Sequence, residues 1–172
     1  MRYVKGKAMK ILNALLRLAA SEILCIFIDI TFAASGNPFI KFICLVCTVL
    51  LMIFVLADYS VKAARADIKS ARMSGETVKT AGIFAAGAAV TVPPLVSWIV
   101  LYISAKGGSF DYYRWHKLLN AAFLQLYNLI NSSANSSDLT GAELAAMLVP
   151  VIVPAMAVII PYMAVCGRNT DK

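Results

Sequence analysis

The sequence predicts an all-α integral membrane protein: a four-helix bundle of spanning segments with one outer interfacial amphipathic helix. Three observations carry that expectation. Hydrophobic residues make up 60% of the 172-residue chain and charged residues only 15%, with a mean hydropathy of +0.77, against about 25% charged residues in soluble domains. Four apolar runs, about 11–34, 38–57, 81–105 and 141–166, each reach the ~20 residues that a ~30 Å hydrocarbon core demands. The runs are continuous rather than alternating, so helices, not barrel strands, satisfy the backbone in lipid. Residues 1–172 are read as one transmembrane domain.

The first span follows a basic tail and ends in "TFAASG", an arrangement close to a secretory leader. Arg17, Glu22 and Asp29 interrupt it, and its longest clean piece, Ile23 to Ile28, falls short of a leader core of about 7–15 residues. It is therefore expected to stay as a span. A charge at the bilayer centre costs roughly 2.5–3.5 kcal/mol on insertion scales, so such residues face the bundle interior. Glu22 lies near mid-depth, and Arg17 points roughly 140° away around the helix. Glu22 is expected to be neutral. It would donate a hydrogen bond to Thr48, Thr91 or a carbonyl freed by proline, or carry a proton. Asp29 is expected to form an intramembrane ion pair with Lys41 across the turn "ASGNP".

The second span contains "CLVC", Cys44 to Cys47. Beyond it, Lys62, Arg65, Lys69 and Arg72 are spaced 3, 4, 3, which places them on one face of a helix continuing from the span. Their expected contact is with anionic lipid headgroups, each charge contributing about 1 kcal/mol near the surface. "MSGE" should end that helix.

The third span carries Pro93 and Pro94 near its middle. They remove two backbone donors and leave the carbonyls of Ala89 and Val90 without their usual partners. The helix is expected to kink or briefly break there. Pro150 and Pro154 should interrupt the fourth span at similar depth, and paired interrupted helices mark midplane binding sites in transporters. Glu22, Thr48, Thr91, Pro93, Pro94, Pro150 and Pro154 are thus the midplane candidates. Gly82, Ala85, Ala86 and Ala89 form a small-residue stripe suited to close helix contact.

Between spans three and four, Trp115, Leu118, Leu119, Ala122, Phe123, Leu126 and Ile130 recur at helical spacing. A single amphipathic helix over about 111–131 is expected to lie in the interface. Tyr112, Tyr113 and Trp115 would sit at headgroup level, and Ser109 or Asp111 would cap it. His116, the only histidine, is expected to be wet. Thr140 with Glu143 fits a capping box opening span four.

Basic residues set the threading. Eleven of them, among them Lys7, Lys10, Lys62, Arg65, Lys69, Arg72, Lys79 and Arg168, fall on one side, against Lys41, Lys106, Arg114 and Lys117 on the other. Both termini are expected in the cytoplasm. The charge of +7 then reflects topology, and no soluble basic domain exists to bind nucleic acid.

Four spans, cytoplasmic ends, "CLVC" and an amphipathic helix in the second outer loop together resemble the quinone-linked disulfide-generating proteins of the bacterial inner membrane. That family carries a second cysteine pair in the long outer loop and an arginine soon after the first pair. Residues 106–140 have no cysteine, and nothing basic follows Cys47 before Lys62. "YYRWHKLLNAAFLQLYNLI" and "SSDLTGAELAAMLVPVIVPAMAV" resemble small four-span membrane proteins of Gram-positive bacteria. That resemblance implies the topology and a bacterial cell membrane, and it transfers no activity and no catalytic residue. There is no phosphate-cradling glycine loop, H-E-x-x-H or nucleophile elbow, so neither enzymatic activity, cofactor nor metal is expected. The leading expectation is a non-enzymatic accessory or scaffold subunit of a membrane complex, with the lipid bilayer and a homo-oligomer or membrane-complex partner as its contacts. The alternative is a small proton-coupled transporter or permeation unit centred on Glu22 and the proline-bearing spans. A thiol–disulfide oxidoreductase using Cys44 and Cys47 comes third.

Overall fold

In a computed structural model of the chain, residues 2–33 and 37–170 are described, with side chains described for 6–32 and 37–167. The centre of the "ASGNP" turn, the side chains of Arg2, Lys5 and Arg168, and Lys172 lie outside the described residues. Four helical stretches, Gly6–Phe32, Pro38–Ser74, Ala81–Ala105 and Gly141–Gly167, are long and apolar enough to cross a membrane. No strand occurs among the described residues. The protein has the build of a polytopic membrane protein.

Helix α1 covers Arg2–Ala33 and α2 covers Pro38–Ser74. Asn37 opens α2, its side-chain oxygen accepting the Phe39 N–H at 2.9 Å, with proline in the first turn, where a missing donor costs nothing. As the basic spacing implied, α2 runs on unbroken past the apolar stretch. It ends at Gly75, whose φ of 68° is the left-handed conformation that glycine adopts without penalty.

Helix α3 covers Ala81–Ala105 and passes through Pro93 and Pro94 as one helix, so of the kink or break expected there the break does not occur. The two prolines remove their own donors only. The hydrogen-bond ladder continues on both sides, and packing against α1 and, by way of Gly87, against the last helix holds the segment together. A Cβ on Gly87 would come within 2.7 Å of the Ile159 side chain, so this close approach requires glycine. The fourth span does break. Helix α6 (Gly141–Ala146) opens with the expected capping box, Thr140 N–H donating to Glu143 Oε2 at 2.7 Å and Glu143 N–H to Thr140 Oγ1 at 3.3 Å. A 3-10 turn with Pro150 follows, and α7 (Val153–Thr170) then begins with Pro154 in its first turn.

The long helices form a ring in the order α1, α2, α7, α3. Ala14, Leu18, Met52, Leu56, Ile83, Ala86, Val90 and Val158 fill its centre. The end bearing the α2–α3 connection, here the basic end, is tied by polar side chains. Lys10 Nζ meets Asp67 Oδ2 at 2.5 Å, Tyr162 Oη donates to the same oxygen at 2.6 Å, and Tyr59 Oη donates to the Lys10 carbonyl at 2.8 Å. Gly82 and Ala86 of the small-residue stripe are buried inside the ring, Gly82 beside the Lys10 stem. Large apolar side chains such as Leu16, Phe27, Ile30 and Phe54 point outward, as lipid solvation permits.

At the opposite end the segment between α3 and α6 departs from expectation. The single interfacial helix over 111–131 is instead two short helices, α4 (Tyr113–Leu119) and α5 (Leu124–Ile130), joined through Asn120 and a 3-10 turn at Ala121–Phe123. The pair folds back into the bundle as a hairpin, its tip packed against α1 and α2.

Candidate functional site

The hairpin starts at a polar knot. Asp111 Oδ1 accepts the Ser136 N–H at 2.9 Å and the Ser136 hydroxyl at 2.6 Å, and Ser136 Oγ accepts the N–H groups of Tyr112 and Tyr113 at 3.0 and 3.1 Å. These bonds occupy the orphan donors at the start of α4. The hydrogen bonds from Ser136 hold the Asp111 carboxyl below its ordinary value.

From there the helix presents its polar side inward. Trp115, Leu118 and Leu119 are exposed, whereas His116, Lys117, Asn120 and Gln125 are buried. The amphipathic pattern was legible, but its polar face meets protein and part of its apolar face points away from the bundle. His116 is fully buried, not wet, with Nδ1 3.0 Å from Ser97 Oγ of α3. Burial pulls its imidazole down to about 4, so the ring is neutral. Lys117 crosses over the Tyr113 ring and donates to the carbonyls of Asn131 and Ser133 at 3.1 and 2.9 Å. Burial lowers its ammonium to about 8. Tyr113 Oη lies 2.9 Å from the Asn131 carbonyl and 3.1 Å from that of Tyr127, which ties the two arms at their open end.

Asn120 breaks the helix, with φ −124° and ψ 51°, and its side-chain amide caps α4 by donating to the His116 carbonyl at 2.9 Å. The small residues Ala121 and Ala122 then enter between α1 and α2, fully buried. There Glu22 Oε2 accepts the Ala122 N–H at 3.0 Å, and Thr48 Oγ1 donates to the Ala122 carbonyl at 3.0 Å. Both helices therefore hold the tip, near the midpoints of their apolar runs. Glu22 acts here as an acceptor from backbone, not as the expected donor to Thr48 or Thr91.

Glu22 also lines a cavity of about 310 Å³ with Pro93, Pro94, Asn120, Phe123 and Pro154. Four of the seven midplane candidates thus meet around one space. The other three lie elsewhere. Thr48 sits against the hairpin tip, Thr91 Oγ1 donates to the Gly87 carbonyl at 3.0 Å, and Pro150 is buried in its 3-10 turn. From the hairpin end a polar file approaches the cavity. The Tyr112 hydroxyl is 3.5 Å from Ser97 Oγ, and the Asn120 amide donates to Ser97 Oγ at 3.3 Å.

The Asp29–Lys41 pair does not form. Asp29 Oδ1 accepts from Gln125 Nε2 of α5 at 2.9 Å and from Cys44 Sγ at 3.3 Å, and Lys41 is exposed. Lys41 lies one turn nearer the end of α2, and the inserted hairpin brings a neutral donor to Asp29 instead. Asp29 Oδ2 and His116 Nε2 are the buried side-chain polar atoms without a partner among the described residues. All four cysteines are free. Cys44 is buried against Asp29, and Cys47 is exposed. Lys62, Arg65, Lys69 and Arg72 are exposed as their spacing implied, with Lys62 also bonded to Asp58 at 2.7 Å and Arg17 3.9 Å from the same carboxylate.

Ser97, Asn120 and Gln125 were not among the sequence candidates. The available signal was the presence of Asn120 and Gln125 within an otherwise apolar segment, flanking a pair of alanines. No protein-family model matches the chain, and no curated protein and no solved structure matches it.

Proposed function

We propose that the chain is a small multi-pass protein of a bacterial cell membrane, both termini cytoplasmic, that acts as a proton-coupled transporter or permeation unit centred on Glu22. One observation carries this reading: a carboxyl near mid-depth lines a cavity and holds the tip of an inserted hairpin, and no basic side chain among the described residues pairs with it. Such residues in a span mark proton relays and solute paths. With the hairpin end outward, the file of Tyr112, Ser97 and Asn120 is the outer approach. The test is reconstitution in vesicles with an entrapped pH dye and clamped potential. The wild type should dissipate an imposed proton gradient and Glu22→Gln should not, since glutamine keeps an acceptor for Ala122 N–H but cannot release a proton. Equal rates for the two would refute the reading.

A second reading, the accessory subunit, is supported by the exposed row Lys62, Arg65, Lys69 and Arg72, which offers a docking face for a partner or for anionic lipid. It predicts a stoichiometric companion in affinity purification from native membranes. Gly82 and Ala86 are used within the chain, which leaves the small-residue stripe little to offer an oligomer.

A further inference from the structure

Resting on the Glu22 reading, we infer that the solute is a lipophilic monocation, one that enters the cavity sideways from the bilayer and exchanges with the Glu22 proton. The cavity wall is apolar apart from Glu22 and Asn120, and no lysine, arginine or histidine contributes to it. Three of its lining side chains are open to the surroundings of the bundle: Ile23 at 54% exposure, Leu119 at 57% and Leu118 at 39%. In a membrane those surroundings are acyl chains, so the mouth faces lipid between α1 and α4. A volume of about 310 Å³ is at the small end of the ~300–1,000 Å³ usual for ligand pockets.

The electrostatics choose the charge of the occupant. The titratable groups around Glu22 are Cys25 and Asp29 on its own helix and Tyr127 on α5. Pro93 and Pro94 of α3 and Pro154 of α7 contribute none, and His116 of α4 is engaged with Ser97. Every potential charge in that set is negative. A carboxyl so placed is neutralised either by its proton or by a bound cation, and the Phe123 ring in the wall favours a cation over an anion. The step balances simply. The Glu22 O–H bond breaks, one proton leaves to water, and the carboxylate pairs with the cation, with no bond formed to the ligand and no electron transferred.

The probe is benzyltrimethylammonium, small enough for a cavity of about 310 Å³, with benzenesulfonate as the anion of like size. Purified wild-type protein should bind the cation, release close to one proton per cation in weak buffer, and bind the sulfonate far more weakly. Glu22→Gln should weaken cation binding by roughly 30-fold or more, the scale of removing one partner of a desolvated charge pair. Leu119→Trp, which narrows the lipid-facing mouth outside the Glu22 contact, should slow association while leaving the circular dichroism spectrum unchanged. Equal binding of the two ions, or cation binding without proton release from the wild type, overturns the inference even if the Glu22 variant fails to fold. Glu22-dependent proton flux without cation binding would remove the cation site and leave the proposed function standing. Loss of both would remove both.

Discussion

Glu22 and Thr48, on neighbouring helices, grip opposite backbone groups of the same residue: one takes the N–H of Ala122 and the other gives its proton to the Ala122 carbonyl, each at 3.0 Å. Thr48 Oγ1 also lies 3.1 Å from the carbonyls of Cys44 and Leu45. A hydroxyl has a single proton, so its bond to Ala122 is made at the expense of its own helix. Glu22→Ala should cost about 1–3 kcal/mol, because it strands a buried N–H. Thr48→Val should cost about 1 kcal/mol, and Glu22→Gln should cost less than Glu22→Ala. Unfolding titrations in mixed micelles measure all three. The double variant should deviate from additivity, as residues sharing one partner do.

Asp29 should depend on Gln125 and not on Lys41. Gln125→Leu removes the 2.9 Å donor from a buried carboxyl and should lower stability by about 1–3 kcal/mol. Lys41→Met, at an exposed site, should stay within about 0.5 kcal/mol. The reverse ranking in the same unfolding titration would restore the ion pair.

His116 gives the fold an acid sensitivity of known sign. Its pKa falls from 6.5 to about 4 on folding, so the unfolded chain binds the extra proton. Stability is fully present above about pH 6.5 and is lost as the pH drops toward about 4, by on the order of 3 kcal/mol. Thermal melts across that window should show the fall, and His116→Phe should flatten it.

The thiols Cys44 and Cys47 should behave differently. Cys47 is exposed, and Cys44 is buried and donates to Asp29 at 3.3 Å. In detergent micelles a maleimide should label Cys47 faster than Cys44, because only the exposed thiol can meet water and react. Cys44 should be labelled only after denaturation, or in a Gln125→Leu background that loosens its surroundings. Mass spectrometry of the digested protein distinguishes them.

The four spans were readable because burial in lipid demands long apolar runs and little else. Helix α2 beyond the bilayer was readable from the 3, 4, 3 spacing of its lysines and arginines. The hairpin was not. Its residues show a good amphipathic period, and a period says which residues share a face without saying what covers that face. An interface and a bundle interior both accept the same stripe. Asn120, which lies off the apolar stripe, is the residue at which the chain turns back. Once the hairpin is inserted, the surroundings of Glu22, Asp29 and His116 all change together. Helical continuity through Pro93 and Pro94 was equally hidden, since a proline pair predicts lost hydrogen bonds and not whether the segment stays helical on both sides.

Helix α2 contains 37 residues, which at 1.5 Å each makes a rod of about 55 Å. A bilayer with its headgroups is about 40–45 Å thick, and a tilt of about 20° shortens the rod by only a few ångströms. One end must therefore stand clear of the membrane. Because Lys10 of the first helix and Tyr162 of the last both bond to Asp67, what emerges is braced and not a slack tether. Lys62 and Arg65 would then meet the lipid surface, with Lys69 set beyond them at a fixed height.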